Sequence, residues 1–255
     1  MTAFLTRPDI HGDRVVFTAE GDLWIGDVKS KSARRLTRDA GVETNAKFSP
    51  DGRTLAFTAT YEGGRDVYVM PVDGGEPTRL TFDPSNRVEV QGWSPDGRAV
   101  YYRTGLDNPL PTFRLFSVPV GGGTPTVAKL PRIEMGDVGP DGRLVYVPVS
   151  NEWANWFRYE GGAADDLWST DLKGGFRRLT TGKGIETTPV WCGKDVYYVS
   201  EAGGSLNLWR LNPESGATAP ITKNVANPVR YPGSDGKRVV FQAGPTIAIY
   251  DPGSK

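Results

Sequence analysis

Apolar and polar positions along this chain alternate in short runs broken by proline, aspartate and glycine, the pattern of strands joined by tight turns. The clearest run is Phe48-Ser49-Pro50-Asp51-Gly52-Arg53-Thr54-Leu55-Ala56-Phe57. An aromatic strand end meets a turn and a second strand follows, which predicts a β-hairpin. The phrase returns as Trp93-Ser94-Pro95-Asp96-Gly97-Arg98-Ala99-Val100-Tyr101-Tyr102 and as Val138-Gly139-Pro140-Asp141-Gly142-Arg143-Leu144-Val145-Tyr146-Val147. Looser copies begin at Ile10, Trp191 and Ser234, making six. Their closing residues, Phe17, Phe57, Tyr102, Val147, Val199 and Phe241, recur at intervals of 40 to 52 residues, the period of one four-stranded propeller blade.

Each hairpin is followed by a third strand with apolar groups on both faces: Leu23-Trp24, Val67-Tyr68, Leu115-Phe116, Leu167-Trp168, Leu208-Trp209 and Ile247-Ala248. A glycine-rich turn and a polar outer strand come next, the latter ending Leu36-Thr37, Leu80-Thr81, Leu179-Thr180 or Ile221-Thr222. The expectation is an all-β, six-bladed β-propeller of four-stranded antiparallel blades. The blades fall at about 8-37, 42-82, 88-129, 133-180, 185-222 and 227-253 within one domain spanning 1-255. The sixth unit runs out before an outer strand while the N-terminus has a spare one, so residues 3-6 are predicted to complete the last blade and close the ring.

Composition narrows the function. Glycine (32) and proline (20) are abundant beside 38 % hydrophobic residues, which suits many short strands rather than disorder. Thirty basic residues balance thirty acidic ones without a run of like charge, so neither nucleic acid nor an anionic membrane is an expected partner. The start of the chain lacks a signal-peptide pattern and no stretch of about 18 apolar residues occurs, so a cytoplasmic protein is expected. A single cysteine, Cys192, is compatible with a reducing compartment.

Candidate chemistry is sparse. A serine hydrolase needs a base beside its nucleophile, and the sole histidine, His11, sits in a predicted hairpin turn. No Gly-x-Ser-x-Gly elbow is present. One histidine and one cysteine cannot build a zinc site of nitrogen and sulfur ligands, and no metal or other cofactor is expected. Innermost strands of a propeller line its channel, and here they carry Glu43, Asn45, Glu89, Gln91, Glu134, Asp137, Glu186, Asn227 and Arg230. Four of these are glutamates in corresponding segments, which could attract a cation or a basic peptide. An insertion between the second and third strands of the fourth unit concentrates Trp153, Trp156, Phe157, Arg158 and Tyr159, a candidate interaction loop.

With the repeat established, the sequence resembles the WD-like propellers shared by TolB and the tricorn proteases. It is most similar to the N-terminal six-bladed propeller of tricorn-like proteases. Pro8-Asp9-Ile10-His11-Gly12-Asp13, Glu20-Gly21-Asp22-Leu23-Trp24, Asp66-Val67-Tyr68-Val69-Met70-Pro71, Arg158-Tyr159-Glu160-Gly161-Gly162-Ala163-Ala164-Asp165-Asp166-Leu167-Trp168 and Phe241-Gln242-Ala243-Gly244 fit in order over nearly the whole chain. The resemblance implies further domains, including a serine peptidase that this stretch lacks. It also implies a non-catalytic role here, scaffolding the protease and shaping a peptide channel, with a peptide or protein as partner. Members of the family often hold a peptide carboxylate with arginines just before the third strand of blade three, where this chain has only Arg114. Two other functions stay open: a TolB-type protein-interaction propeller, and a calcium-dependent hydrolase of lactonase type with Glu43, Asn45 and Glu89 as ligands.

Overall fold

The computed structural model describes residues 4–106, 112–149, 166–182, 184–223 and 226–254. The chain is an all-β, six-bladed β-propeller, and its strands fall into two compact units, residues 1–128 and 129–255, of three sheets each. None of the described residues forms a helix long and apolar enough to cross a membrane.

In the first unit, sheet one runs β1 (Thr6–His11), β2 (Arg14–Ala19), β3 (Asp22–Asp27) and β4 (Ser32–Arg35). Sheet two runs β5 (Glu43–Phe48), β6 (Thr54–Ala59), β7 (Asp66–Pro71) and β8 (Thr78–Arg79), and sheet three β9 (Val88–Trp93), β10 (Ala99–Thr104), β11 (Arg114–Pro119) and β12 (Thr126–Val127). The second unit repeats the order with β13 (Met135–Val138), β14 (Leu144–Val147), β15 (Trp168–Thr170) and β16 (Phe176–Arg178), then β17 (Glu186–Cys192), β18 (Asp195–Ser200), β19 (Asn207–Leu211) and β20 (Thr218–Pro220). Sheet six holds β21 (Val229–Ser234), β22 (Val239–Ala243) and β23 (Thr246–Tyr250), three strands among the described residues. All neighbours are antiparallel. Of the closing strand expected at 3-6, Thr6 begins β1 opposite Thr18, Phe4 and Leu5 lie in no strand, and residues 1–3 fall outside the described residues.

The core forms where one sheet faces the next. Val16, Leu23 and Ile25 of sheet one pack on Ala46, Leu55, Phe57, Tyr68 and Met70 of sheet two. Ala56, Val67 and Val69 of sheet two pack on Val88, Val90, Val100 and Tyr102 of sheet three. The third strand β7 is apolar on both faces because it is covered on both sides, Tyr68 and Met70 toward sheet one and Val67 and Val69 toward sheet three, and burying one Leu or Val side chain there contributes about 1.5–3 kcal/mol.

The outer strands are pinned by a repeated device. The amides of Leu36, Leu80, Leu179 and Ile221 donate to the carbonyls of Leu23, Val67, Leu167 and Leu208 at 2.7–2.8 Å. The threonine that follows turns inward and its Oγ1 accepts from the amides of Leu23, Val67, Leu167 and Leu208 at 2.9–3.0 Å. These Leu-Thr and Ile-Thr endings therefore fasten the outer strands of sheets one, two, four and five to the start of the third strand, satisfying amides that would otherwise be buried unpaired.

The inner strands break their ladders at matching places. Register shifts occur between Thr6 and Asp9 in β1, Thr44 and Lys47 in β5, Thr187 and Val190 in β17, and Arg230 and Gly233 in β21. At these bulges Arg7, Asn45, Thr188 and Tyr231 take φ of 49 to 53°. A β9 bulge falls between Val90, opposite Tyr102, and Gly92, opposite Tyr101, with Gln91 as its extra residue. A bulge re-aims a side chain that simple alternation would send elsewhere.

Candidate functional site: a guanidinium cluster on the inner strands

Three of the inner-strand candidates meet in the first unit, around one carboxylate. Glu89 of β9 is 9 % exposed. Arg103, directly opposite it on β10 and 2 % exposed, donates from Nη2 to its Oε2 at 2.6 Å. Arg65, just ahead of β7, sets Nη1 3.5 Å from Oε1, and Arg7 of β1 sets Nη1 4.0 Å from Oε2. Arg7 also donates to Oδ1 of Asn45. Both are bulge residues, so the two local kinks turn these side chains toward each other and Arg7 toward Glu89. Gln91, the extra residue of the third bulge, sets its Nε2 3.5 Å from the Glu89 carbonyl.

Burial alone would push the Glu89 carboxyl up. Arg103, Arg7 and Arg65 outweigh it and hold the group below the usual glutamate range. An aromatic ring completes the cluster, with the guanidinium carbons of Arg87 and Arg103 each 4.3 Å from the Phe113 centroid. Four arginines thus gather around a single glutamate and one ring among the described residues. Arg65 keeps 35 % of its side chain exposed, so solvent reaches a positively charged edge that suits an anionic group.

The other sequence candidates are placed differently. Glu43 and Glu186 were expected on a channel wall, but Glu43 is 0 % and Glu186 6 % exposed. Each begins its inner strand and directs its carboxyl to the threonine of the preceding sheet: Thr37 Oγ1 donates to Glu43 Oε2 at 2.9 Å, and Thr180 hydrogen-bonds Glu186. They fasten sheets together rather than line a wall. Burial raises both carboxyls, Glu186 to about 7. Asp137 of β13, half-buried, accepts the Trp191 amide at 2.8 Å, just as Asp9 of β1 accepts that of Phe48 at 2.9 Å. Glu134 and Arg230 are half-buried and Asn227 is exposed ahead of β21. Trp153, Trp156, Phe157, Arg158 and Tyr159 lie outside the described residues.

The calcium set does not hold together. Glu43 is engaged by Thr37, Asn45 by Arg7 and Glu89 by three guanidinium groups, whose charge repels a cation from those oxygens. Among the described residues no group of three or more His, Cys, Asp or Glu could hold a metal ion.

Sequence reasoning missed Arg7, Arg65, Arg87 and Arg103, which come from three sheets. One signal was available. Arg103 interrupts the apolar strand Val100-Tyr101-Tyr102, and a buried guanidinium demands a carboxylate, here the residue opposite it on the neighbouring strand.

A six-bladed propeller with paired inner-strand bulges and a basic inner cluster is the class these observations define. The chain belongs to the family of the tricorn protease N-terminal beta propeller domain, whose model matches residues 2–255. Tricorn protease homolog 1 of Streptomyces coelicolor is 35 % identical over 98 % of this chain, which spans 24 % of that relative. The crystal structure of the tricorn protease superposes over 99 % of this chain with a TM-score of 0.87 at 28 % identity, and the match covers 25 % of that chain. A tricorn-like protease N-terminal subunit of Sulfurisphaera tokodaii, 27 % identical, matches 68 % of this chain over 90 % of its own length. The chain thus spans about a quarter of the larger relatives and most of a small one.

Proposed function

We propose that this chain is the non-catalytic N-terminal propeller of a tricorn-like peptidase. It scaffolds further domains and presents a basic wall of inner strands to peptides in the channel they shape. The observation that carries this is the family match over residues 2–255, set beside relatives roughly four times as long. The chain's own chemistry supports it. His11 packs on Phe48, centroids 5.9 Å apart, and borders an open cleft of about 760 Å³. That cleft is lined by Asp13, Arg14, Asp27, Gly52, Arg53, Val72 and Asp73, none of them a nucleophile that His11 could activate. In this reading the domain works in the cytoplasm, where the buried thiol of Cys192 stays reduced, and its partners are acidic peptide groups and the peptidase's other domains. The TolB-type alternative rested on the shared propeller repeat, and the separate candidate interaction loop lies outside the described residues.

The test is to incubate the purified chain with a panel of fluorogenic peptides and a fluorophosphonate probe for activated serines. Neither turnover nor labelling is expected, and stoichiometric labelling with turnover would overthrow the accessory role.

A further inference from the structure

The buried carboxylates at the junction of sheets four and five have no part in the proposed function, and their polar atoms do not balance. Arg178 of β16 donates from Nη2 to Asp166 Oδ2 at 2.6 Å, leaving Asp166 Oδ1 buried without a hydrogen bond. Thr180 spans the junction, taking the Leu167 amide at 3.0 Å and bonding Glu186, whose Oε2 is also buried without a hydrogen bond. The backbone of Gly182 closes over the same group: a Cβ there would stand 2.5 Å from Glu186 Oε1. Ionised carboxylates only accept, so two orphaned carboxylate oxygens cannot satisfy one another, whereas a single proton turns one of them into a donor.

We propose that Glu186 is a proton-operated latch. As a neutral carboxyl it completes the hydrogen bonding between sheets four and five, and on ionising it leaves a buried, unsatisfied charge that loosens their junction. The groups around it bear this out. Asp166 opposes its ionisation and Arg178 favours it. On the strands packed against β17, β14 contributes only the phenol Tyr146 and β18 contributes Asp195, Tyr197 and Tyr198. From β13, Asp137 is engaged by the Trp191 amide, and Arg230 and the phenol Tyr231 lie on β21. Glu134, just ahead of β13, is half-buried, and Glu201 takes the Ile185 amide at 3.0 Å. Burial and Asp166 together lift Glu186 from 4.5 to about 7.

The sign follows from linkage. A carboxyl raised in the folded state stabilises most below its unfolded value, and the gain is lost as pH rises through the folded one. Urea unfolding of the whole chain should therefore show the Glu186 contribution to the folding constant falling about tenfold between pH 6 and 8.5. Glu186→Gln should remove that fall. In the native chain, ¹³C NMR of carboxyl-labelled glutamate should show one resonance with a midpoint near 7, absent from Glu186→Gln. Exchange of the Leu167 amide should accelerate with pH more steeply than intrinsic chemistry alone. A native chain with no glutamate midpoint above about 6 overturns the proposal, and that spectrum decides even where the variant fails to fold. An unchanged pH slope in a folded Glu186→Gln overturns it equally.

Discussion

Glu89 and Glu186 are buried to a similar degree near the starts of equivalent inner strands, yet their carboxyls move in opposite directions. Glu89 faces three guanidinium groups and stays ionised. Glu186 faces a hydroxyl, an orphaned aspartate oxygen and one arginine already committed to that aspartate, and it is held toward its neutral form. Burial sets the size of the penalty on a charge, and the neighbours decide whether it is overcome. Glu89 of the first unit thus gathers positive charge around itself, whereas Glu186 of the second, like Glu43 of the first, joins two sheets.

The largest effect should come from Glu89→Gln, which removes the carboxylate paired with the almost fully buried Arg103 while keeping its shape. Breaking a buried pair from one side costs about 3–5 kcal/mol, and urea unfolding at pH 7 should show that loss. The pH dependence is opposite to that of Glu186. A depressed carboxyl lends its stability above the unfolded value and loses it as pH falls through the folded one, so the native chain should lose this contribution below about pH 4.5 and the variant should not. A loss under about 1 kcal/mol would mean that the arginines are satisfied without Glu89, and the contrast would collapse.

Next comes the threonine between sheets. Thr180→Val keeps the volume but removes both the acceptor for the Leu167 amide and the donor to Glu186, a cost of about 1–3 kcal/mol. Thr222→Val makes a useful control. Thr222 holds the Leu208 amide in the same way but donates to the uncharged Asn207 at 2.8 Å. Both variants should be destabilised, and only the loss at Thr180 should change with pH between 6 and 8.5. Equal pH profiles would show that the hydroxyl acts without regard to the glutamate's charge.

The blades themselves were plain in the sequence because hairpin turns and double-faced third strands leave periodic marks: Pro-Asp-Gly, Leu-Trp, and the Leu-Thr endings whose hydroxyls turn out to fasten outer strands. The bulges were not, since Arg7, Asn45, Thr188 and Tyr231 share a left-handed backbone but no side-chain property, and only asparagine is a residue that commonly adopts it. Glu43 and Glu186 were misplaced for a related reason. Alternation alone cannot tell a residue facing an open channel from one facing the threonine of the sheet before it. The guanidinium cluster was hidden because its members lie far apart in the chain and meet only after two bulges redirect Arg7 and Asn45.

The smallest stability change, and the one that bears most on function, should follow Arg65→Ala. Arg65 is the most exposed of the guanidinium groups on Glu89, at 3.5 Å, so solvent already screens its pairing, and its loss should cost only about 0.2–1 kcal/mol. Arg103 and Arg7 still hold the carboxylate ionised. Binding should respond more than folding. An acidic peptide titrated by fluorescence anisotropy should lose about 1 kcal/mol of affinity, roughly fivefold, and the difference between wild type and variant should shrink as salt is added. A neutral peptide of the same length should bind both alike. If Arg65→Ala leaves acidic-peptide affinity intact, the positive edge of this cluster serves only to neutralise Glu89, and the two buried glutamates differ in how they stabilise the fold rather than in what the two units do.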